Sequence, residues 1–494
     1  MGKGYNMETD VVVVGYGAAG AAAAITAHDC GASVILLEKM SYPGGNTGVA
    51  GGNMSIPRNW EKFSQYLKTL CFGTTEPELV DTFVQGLREI PDWLRKMGAE
   101  LRRFAVPPAS CGLIIPDVTF PGVPGAQEAG ISVYCVKESD IATSVCGGAR
   151  LMQVLTKQVD GRGRIKVMLS TAAKELIQNE KREVVGVIAE SEGKELRIKA
   201  KRGVILSCGG FECNEYLRRD YLNPKVMAFS GNPGNTGDGI NMVQKVGAAL
   251  WHMSTYLARC GLKVPEFEAT FSPDFVKPSF IYIDRRGRRF LNESYADVHL
   301  FGEYLAEFDN EKFEYPRIPF YAIFDEEVVR SGPICWGKSG PNVIVHGYKW
   351  SLDNSEELKK GWVIRAESIS ELAERLSIDR SVLERTLSTY NENCKNGRDP
   401  EFGRAPETLK PIEGPPYYAM ELTLSIINTQ GGPRRDTESR VLDPDGLPIP
   451  RLYAAGELGS IWGFKYQTST NIAEALVYGR IAGRNAAMNP PVEE

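Results

Sequence analysis

Two short unbroken hydrophobic runs stand close together near the N-terminus, DVVVVG (10 to 15) and SVILLE (33 to 38). Neither alternates apolar with polar positions, so both predict strands covered on both faces, as in a parallel sheet. Between them lies the alanine-rich run AAAAITAHDCG, and a third strand-like run, VILSCGG, follows at 204 to 210. Helical spacing marks ISELAERL (369 to 376) and SVLERTLSTYNENC (381 to 394). Near the C-terminus six uncharged polar residues, Tyr466 to Asn471, run into a segment in which Ala473, Leu476, Val477 and Ile481 share one helical face. Asn471 is a good N-cap with Glu474 three residues on as its capping partner, so a helix is expected from residue 472. The stretch VVVVGYGAAGAAAAITA is apolar enough to suggest a membrane span, but it is shorter than the roughly 20 residues required and glycines interrupt it.

The first strand leads directly into Gly15-Tyr16-Gly17-Ala18-Ala19-Gly20, and the second ends at Glu38. This is GxGxxG in the context that gives it meaning. Gly15 permits a tight turn, Gly17 lets backbone approach a pyrophosphate, Gly20 lets helix and strand pack closely, and Glu38 can accept from ribose hydroxyls. A second glycine-rich loop, MSYPGGNTGVAGGN (40 to 53), can press further backbone N–H groups against the same ligand.

Composition narrows the function without naming it. With 494 residues, 43% apolar and 24% charged, the chain is long enough for two or three domains with a large core. A net charge of -5 gives no electrostatic footprint for nucleic acid or an anionic membrane, and Arg285, Arg286, Arg288 and Arg289 read as solvated turns. The ten cysteines contain no CxxC pair, the closest two being Cys208 and Cys213, which points to reduced thiols and a cytoplasmic protein. His28, His252, His299 and His346 show no ligand spacing, so no metal is expected. The N-terminus shows no signal pattern, and no repeat or low-complexity tract appears.

From the Gly-Gly-Asn-Thr of the second loop onward the chain resembles the flavoprotein family of fumarate reductase, succinate dehydrogenase and 3-ketosteroid dehydrogenase. The resemblance recurs in order at VILSCGGFECN, GNPGNTGDGINMVQKVGA (231 to 248), IDRRGRRFLNE (283 to 293) and LYAAGELGS (452 to 460). It implies an α/β fold in which a Rossmann-like FAD-binding domain, residues 1–267 and 423–494, is split by an α+β capping domain, 268–422. It implies FAD held by Gly15, Gly17, Ala19, Gly20, Glu38 and Lys39, and by Gly45, Asn46, Thr47, Gly51 and Gly52. Ala173, Gly237, Asp238, the ribityl acid Glu457, Asn471 and Ile472 complete the set. No histidine stands where related respiratory enzymes attach the flavin covalently, so noncovalent FAD is expected. There is no second GxGxxG and hence no evident NAD(P)H domain, which leaves the electron donor or acceptor unread.

Within that family the active-site segments differ. Aligning the C-terminal helix start puts Gln467 where fumarate reductases carry a substrate-binding arginine. INTQGG (427 to 432) puts Asn428 at their substrate histidine, and SYADVH (294 to 299) replaces the stretch holding their proton-donating arginine. These three losses argue against fumarate, because a guanidinium fork matches a carboxylate in a way neutral groups do not. The ketosteroid dehydrogenase segment matches better: Tyr466 takes the tyrosine position and Thr470 the backbone N–H position of a ketone-binding pair. The polar run thus resembles an oxyanion hole in a neutral lining. Tyr295 is the expected acid/base, with Asp297 as its rival because the spacing departs slightly from the family pattern. The expected activity is an FAD-dependent oxidoreductase adding or removing hydrogen across a CH–CH bond next to a ketone, on a 3-ketosteroid or another cyclic ketone or enone. A carboxylate-specific enoate reductase and a flavin-binding electron carrier remain the alternatives.

Overall fold

The computed structural model describes residues 4–103, 117–137, 147–294, 299–335 and 348–493. Its larger sheet has eight strands. Arg440–Leu442, Pro448–Ala454, Lys194–Leu206, Met7–Val14, Val34–Leu37 and Ile165–Met168 lie in that order, while Thr171–Gln178 and Val184–Ser191 continue from Lys194–Leu206. The central pairs are parallel, with Val11 to Val14 registered on Val34 to Leu37 and on Gly203 to Leu206. Both faces of Met7–Val14 are covered: Val11 and Val13 join one apolar cluster and Val12 and Val14 another. This is why the strand reads as an unbroken apolar run, and it bears out the α/β expectation.

The alanine-rich segment forms the helix Ala18–Asp29, and the helix Asn471–Met488 lies against it. Small residues set the distance between them. A Cβ on Gly479 would fall 2.4 Å from the Ala19 carbonyl oxygen, and one on Gly483 would fall 2.3 Å from that of Ala23. The alanines therefore serve backbone-close packing at the point where both helices open toward the same cavity.

A six-stranded sheet is built on the long strand Tyr417–Thr429, which pairs with Ala228–Phe229, Tyr256–Gly261, Phe320–Phe324 and Ile364–Ala366; Phe280–Ile283 pairs with Phe320–Phe324. Phe280 and Tyr282 face one core, while Ile281 and Ile283 face Leu372, Leu383, Leu387 and Tyr390 of the helices Ile369–Leu376 and Arg380–Lys395. Both helices fall where their apolar spacing puts them. Of the arginine cluster, Arg285 and Arg288 stay exposed and Arg286 half-buried, whereas Arg289 does not remain solvated. Arg289 is buried and donates to Glu293 at 2.7 and 3.0 Å and to Asp399 at 3.0 Å, because three segments close over it. No helix among the described residues is long and apolar enough to cross a membrane.

Candidate active site

One long cavity runs from the first strand-helix turn to the N-terminus of Asn471–Met488. Gly15, Gly17, Ala19, Glu38, Lys39, Gly45, Asn46, Thr47, Gly51, Gly52, Ala173, Asp238, Glu457, Tyr466, Asn471 and Ile472 all border it. Gly20, Gly237 and Thr470 stand behind the wall. A Cβ on Gly20 would lie 1.9 Å from the Gly15 carbonyl oxygen, and one on Gly237 would lie 2.4 Å from Leu217 Cδ1, so packing alone explains these two. Gly17 is different: a Cβ there would meet no protein atom closer than 3.7 Å. Nothing in the protein requires glycine at 17, and the space above it is the cavity, as a bound pyrophosphate demands.

At one end Glu38 is fixed by its neighbours' amides. Tyr16 N–H donates to its Oε2 and Met40 N–H to its Oε1, each at 2.8 Å. Lys39 Nζ donates to Thr236 Oγ1 at 2.6 Å and to Asp238 Oδ2 at 2.7 Å, so the lysine is anchored within the protein. Midway, Asn46 Nδ2 donates to Glu212 Oε1 at 2.7 Å and to Glu457 Oε2 at 2.9 Å, while Thr429 N–H donates to Glu457 Oε1 at 3.1 Å. Asn235 Nδ2 also donates to Glu212 Oε1 at 2.7 Å. Burial of these two carboxyls drives both upward, Glu212 to about 7 and Glu457 well above the usual carboxylate range, where the neighbouring Glu212 charge adds to the effect. A proton retained between them spares the cost of two adjacent buried charges.

The far end is the polar run. The structure corrects its cap: the helix begins at Asn471, Thr470 occupies the N-cap position, and the Thr470 side chain does not cap it. Glu474 is instead buried in an ion pair with Arg435, so it is unavailable to Asn471, whose Oδ1 accepts from Gln430 Nε2 at 3.3 Å. The hydroxyl oxygen of Tyr466 takes the capping part, accepting from Thr470 N–H at 3.2 Å and from Asn471 N–H at 3.4 Å. Tyr466 and Thr470 are thereby brought together at a helix N-terminus, with the tyrosine on the cavity wall.

Gln467 does not face the cavity. It is fully buried: Nε2 donates to Asp117 O at 3.1 Å and Thr468 O at 2.9 Å, and Oε1 accepts from Tyr66 OH at 2.8 Å and Thr119 N–H at 3.1 Å. Asn428 does face it. Tyr295 and Asp297 lie outside the described residues.

The lining is not neutral, contrary to the sequence expectation. Arg259 and His299 both reach it. His299 Nδ1 lies 3.2 Å from Thr468 Oγ1, and its ring meets that of Tyr466 edge-on with centroids 5.5 Å apart. Arg259 is 3% exposed, and burial lowers its pKa from the ordinary arginine value. His299 closes the SYADVH stretch and was within sight of the motif; Arg259, in the unremarkable strand YLARCG, carries no local signal.

Residues 10–471 match the family described as FAD binding domain. The chain belongs to that family. It is 31% identical to urocanate reductase of Eggerthella lenta across 98% of this chain and 75% of that protein. It is 27% identical to 3-oxosteroid 1-dehydrogenase of Mycobacterium tuberculosis across 97% of this chain and 98% of that protein. Its fold is similar to the crystal structure of 3-ketosteroid delta1-dehydrogenase from Sterolibacterium denitrificans in complex with 1,4-androstadiene-3,17-dione, with a TM-score of 0.81, 24% identity, and coverage of 97% of this chain and 99% of that one. FAD is the cofactor, and the open glycine cradle at Gly17 with the fixed acceptors of Glu38 suits it. The protein is a flavin-dependent oxidoreductase acting on CH–CH groups.

Proposed function

We propose that the bond oxidised or reduced lies next to a ketone of a small cyclic ketone or enone, and that Tyr466 donates the hydrogen bond that polarises the ketone oxygen. The observation that carries this reading is the convergence of the Thr470 and Asn471 amides on the Tyr466 oxygen at the cavity wall. Two N–H donors pull electron density from that oxygen, so the phenol becomes a better donor to an oxygen on its other side. The positive end of the helix Asn471–Met488 favours negative charge at the same place. A polarised ketone acidifies its α-carbon, and a base of modest strength can then move the α-proton.

Bound FAD supplies the two-electron chemistry, accepting or giving a hydride at the β-carbon. The chain's own residues do the rest. Tyr466 orients the ketone, with the Thr470 N–H behind it. Tyr295 moves the α-proton, with Asp297 the rival for that role. The ring of His299 holds the Tyr466 ring in place from the side.

An anaerobic screen tests the reading. Chemically reduced holoprotein is mixed with ketosteroids, cyclic enones and ketone-free enoates, and flavin reoxidation is followed by absorbance. Reoxidation by one or more enones, well ahead of every enoate, is the expected result. Enoates outpacing all enones would transfer the chain to the carboxylate-specific reductases, and no reoxidation by any of them would leave an electron carrier.

A further inference from the structure

We infer that the side-chain amide of Asn53 is a ligand of the isoalloxazine ring of FAD, donating a hydrogen bond that raises the flavin's reduction potential. That bond depends on FAD alone and holds for a ketone or an enoate substrate alike.

Asn53 is placed by a loop tied down at three points. Upstream, Asn46 Nδ2 reaches Glu457 Oε2 at 2.9 Å, midway along the cavity. At Gly52, where φ is +73°, an added Cβ would lie 2.2 Å from Gly148 N, so the loop packs directly on the start of the helix Gly147–Asp160. Downstream, Ser55 N–H donates to Ser469 O and Ser55 Oγ to Thr468 O, each at 2.8 Å, which fastens the strand Met54–Ile56 to the polar run. Side chains alternate here: Met54 enters the apolar core, and Asn53 before it borders the cavity. Asn53 therefore stands between Glu457 and the Tyr466 end. An FAD with its ribose at Glu38, its pyrophosphate at Gly17 and its ribityl chain at Glu457 carries its ring into that stretch.

What Asn53 lacks is a partner in the protein. The residue is 7% exposed, and its Oδ1 is sealed from solvent without a hydrogen bond. Other polar side chains along this wall are committed: Asn46 to Glu212 and Glu457, Asn471 to Gln430, and Thr470 Oγ1 to Gln467 O. Buried polar groups are rarely left unpaired, so the partner of Asn53 must come from what occupies the cavity. A terminal amide presents a donor and an acceptor side by side, and the ring's polar edge alternates carbonyl oxygens with an N–H, so both ends of the amide can be satisfied at once. Reduction places two more electrons on the ring and adds negative charge to its carbonyl oxygens. The donated bond then strengthens, which favours the reduced form.

The test is an equilibrium redox titration of the holoprotein against a reference dye, with the melting temperature of the apoprotein measured alongside. Asn53→Leu keeps the shape and removes both polar ends; it should lower the midpoint potential by about 30 mV, a tenfold change in a two-electron equilibrium. Asn53→Asp should lower it further, because a carboxylate repels the charge that reduction adds. The Asn53→Leu apoprotein should melt at or above the parent apoprotein, since leucine replaces a polar group with no partner in the protein. A potential unchanged in both variants overturns the proposal. So does an Asn53→Leu apoprotein that melts well below the parent, which would mark the amide as structural. Loss of enone affinity with the potential unmoved would assign Asn53 to the substrate instead. If Asn53→Leu does not retain FAD, Asn53→Ser decides by the same titration.

Discussion

The two ends of the cavity are built by opposite strategies. The Glu38 end is made of backbone: one strand-helix turn, one glycine loop, and a carboxylate held by amides from Tyr16 and Met40. Its parts lie close together in the chain. The Tyr466 end is made of side chains from distant segments: Arg259 from one strand, Asn428 from the next, His299 from a loop, and Tyr466 before the last helix. Backbone geometry tolerates few changes and recognises a constant ligand. A set of separately exchangeable side chains can be re-specified for a new substrate without disturbing the fold, which is consistent with relatives named for urocanate and for 3-oxosteroids.

The largest effect is expected where backbone is displaced. Gly20→Val puts atoms inside the Gly15 carbonyl oxygen, which cannot move without breaking the turn, so no soluble FAD-loaded protein should form. Gly17→Ala meets no close protein atom; it should give a folded protein with the melting temperature of the parent apoprotein and greatly weakened FAD binding. FAD stoichiometry and thermal melts separate the two. If Gly17→Ala retains full FAD, the cradle is misplaced.

At the other end, Tyr295→Phe should abolish exchange of the ketone α-hydrogen with deuterated solvent, with FAD content intact. Should Asp297→Asn do this instead, the proton belongs to the aspartate. A smaller effect is expected at Gln467. Gln467→Ala leaves Tyr66 OH and the Thr119 N–H without their acceptor, a cost of roughly 1–3 kcal/mol in a denaturant melt. The enone-to-enoate preference should not change, because the side chain faces the protein. A changed preference would place Gln467 in the substrate site.

The remaining effect concerns pH. Glu212 is pushed from an ordinary 4.5 up to about 7, so between those values the folded protein holds a proton that the unfolded chain releases. Its contribution to stability is complete below about pH 4.5 and is lost as pH rises through about 7. Melts of the apoprotein should show this fall as roughly a few degrees, and Glu212→Gln should make it shallower, with Glu457 keeping its own share. An unchanged slope in the variant would move the titration to another group.

What was legible in the sequence follows the same division. Gly15 to Glu38 could be read because strand, turn and acid are contiguous and each residue has a local physical duty. Helices such as Ile369–Leu376 were legible from apolar spacing. The cap at Asn471 was misread because its pattern is satisfied locally, yet Arg435, far off in the chain, claims Glu474 once both are buried. Arg289 looked solvated for the same reason: Asp399 is distant in sequence and adjacent in space. Arg259 could not be found at all, since only the pairing of its strand with Tyr417–Thr429 brings it to the cavity.

The central claim is that the Tyr466 hydroxyl, backed by the Thr470 and Asn471 amides, polarises a ketone. It is tested most directly by the single-turnover rate at which an enone reoxidises reduced holoprotein, compared between the parent and Tyr466→Phe at equal FAD content. The account predicts a fall of roughly one hundred to a thousandfold, with little change in enone affinity, because that hydrogen bond strengthens as the oxygen gains charge. An unchanged rate in Tyr466→Phe would contradict it.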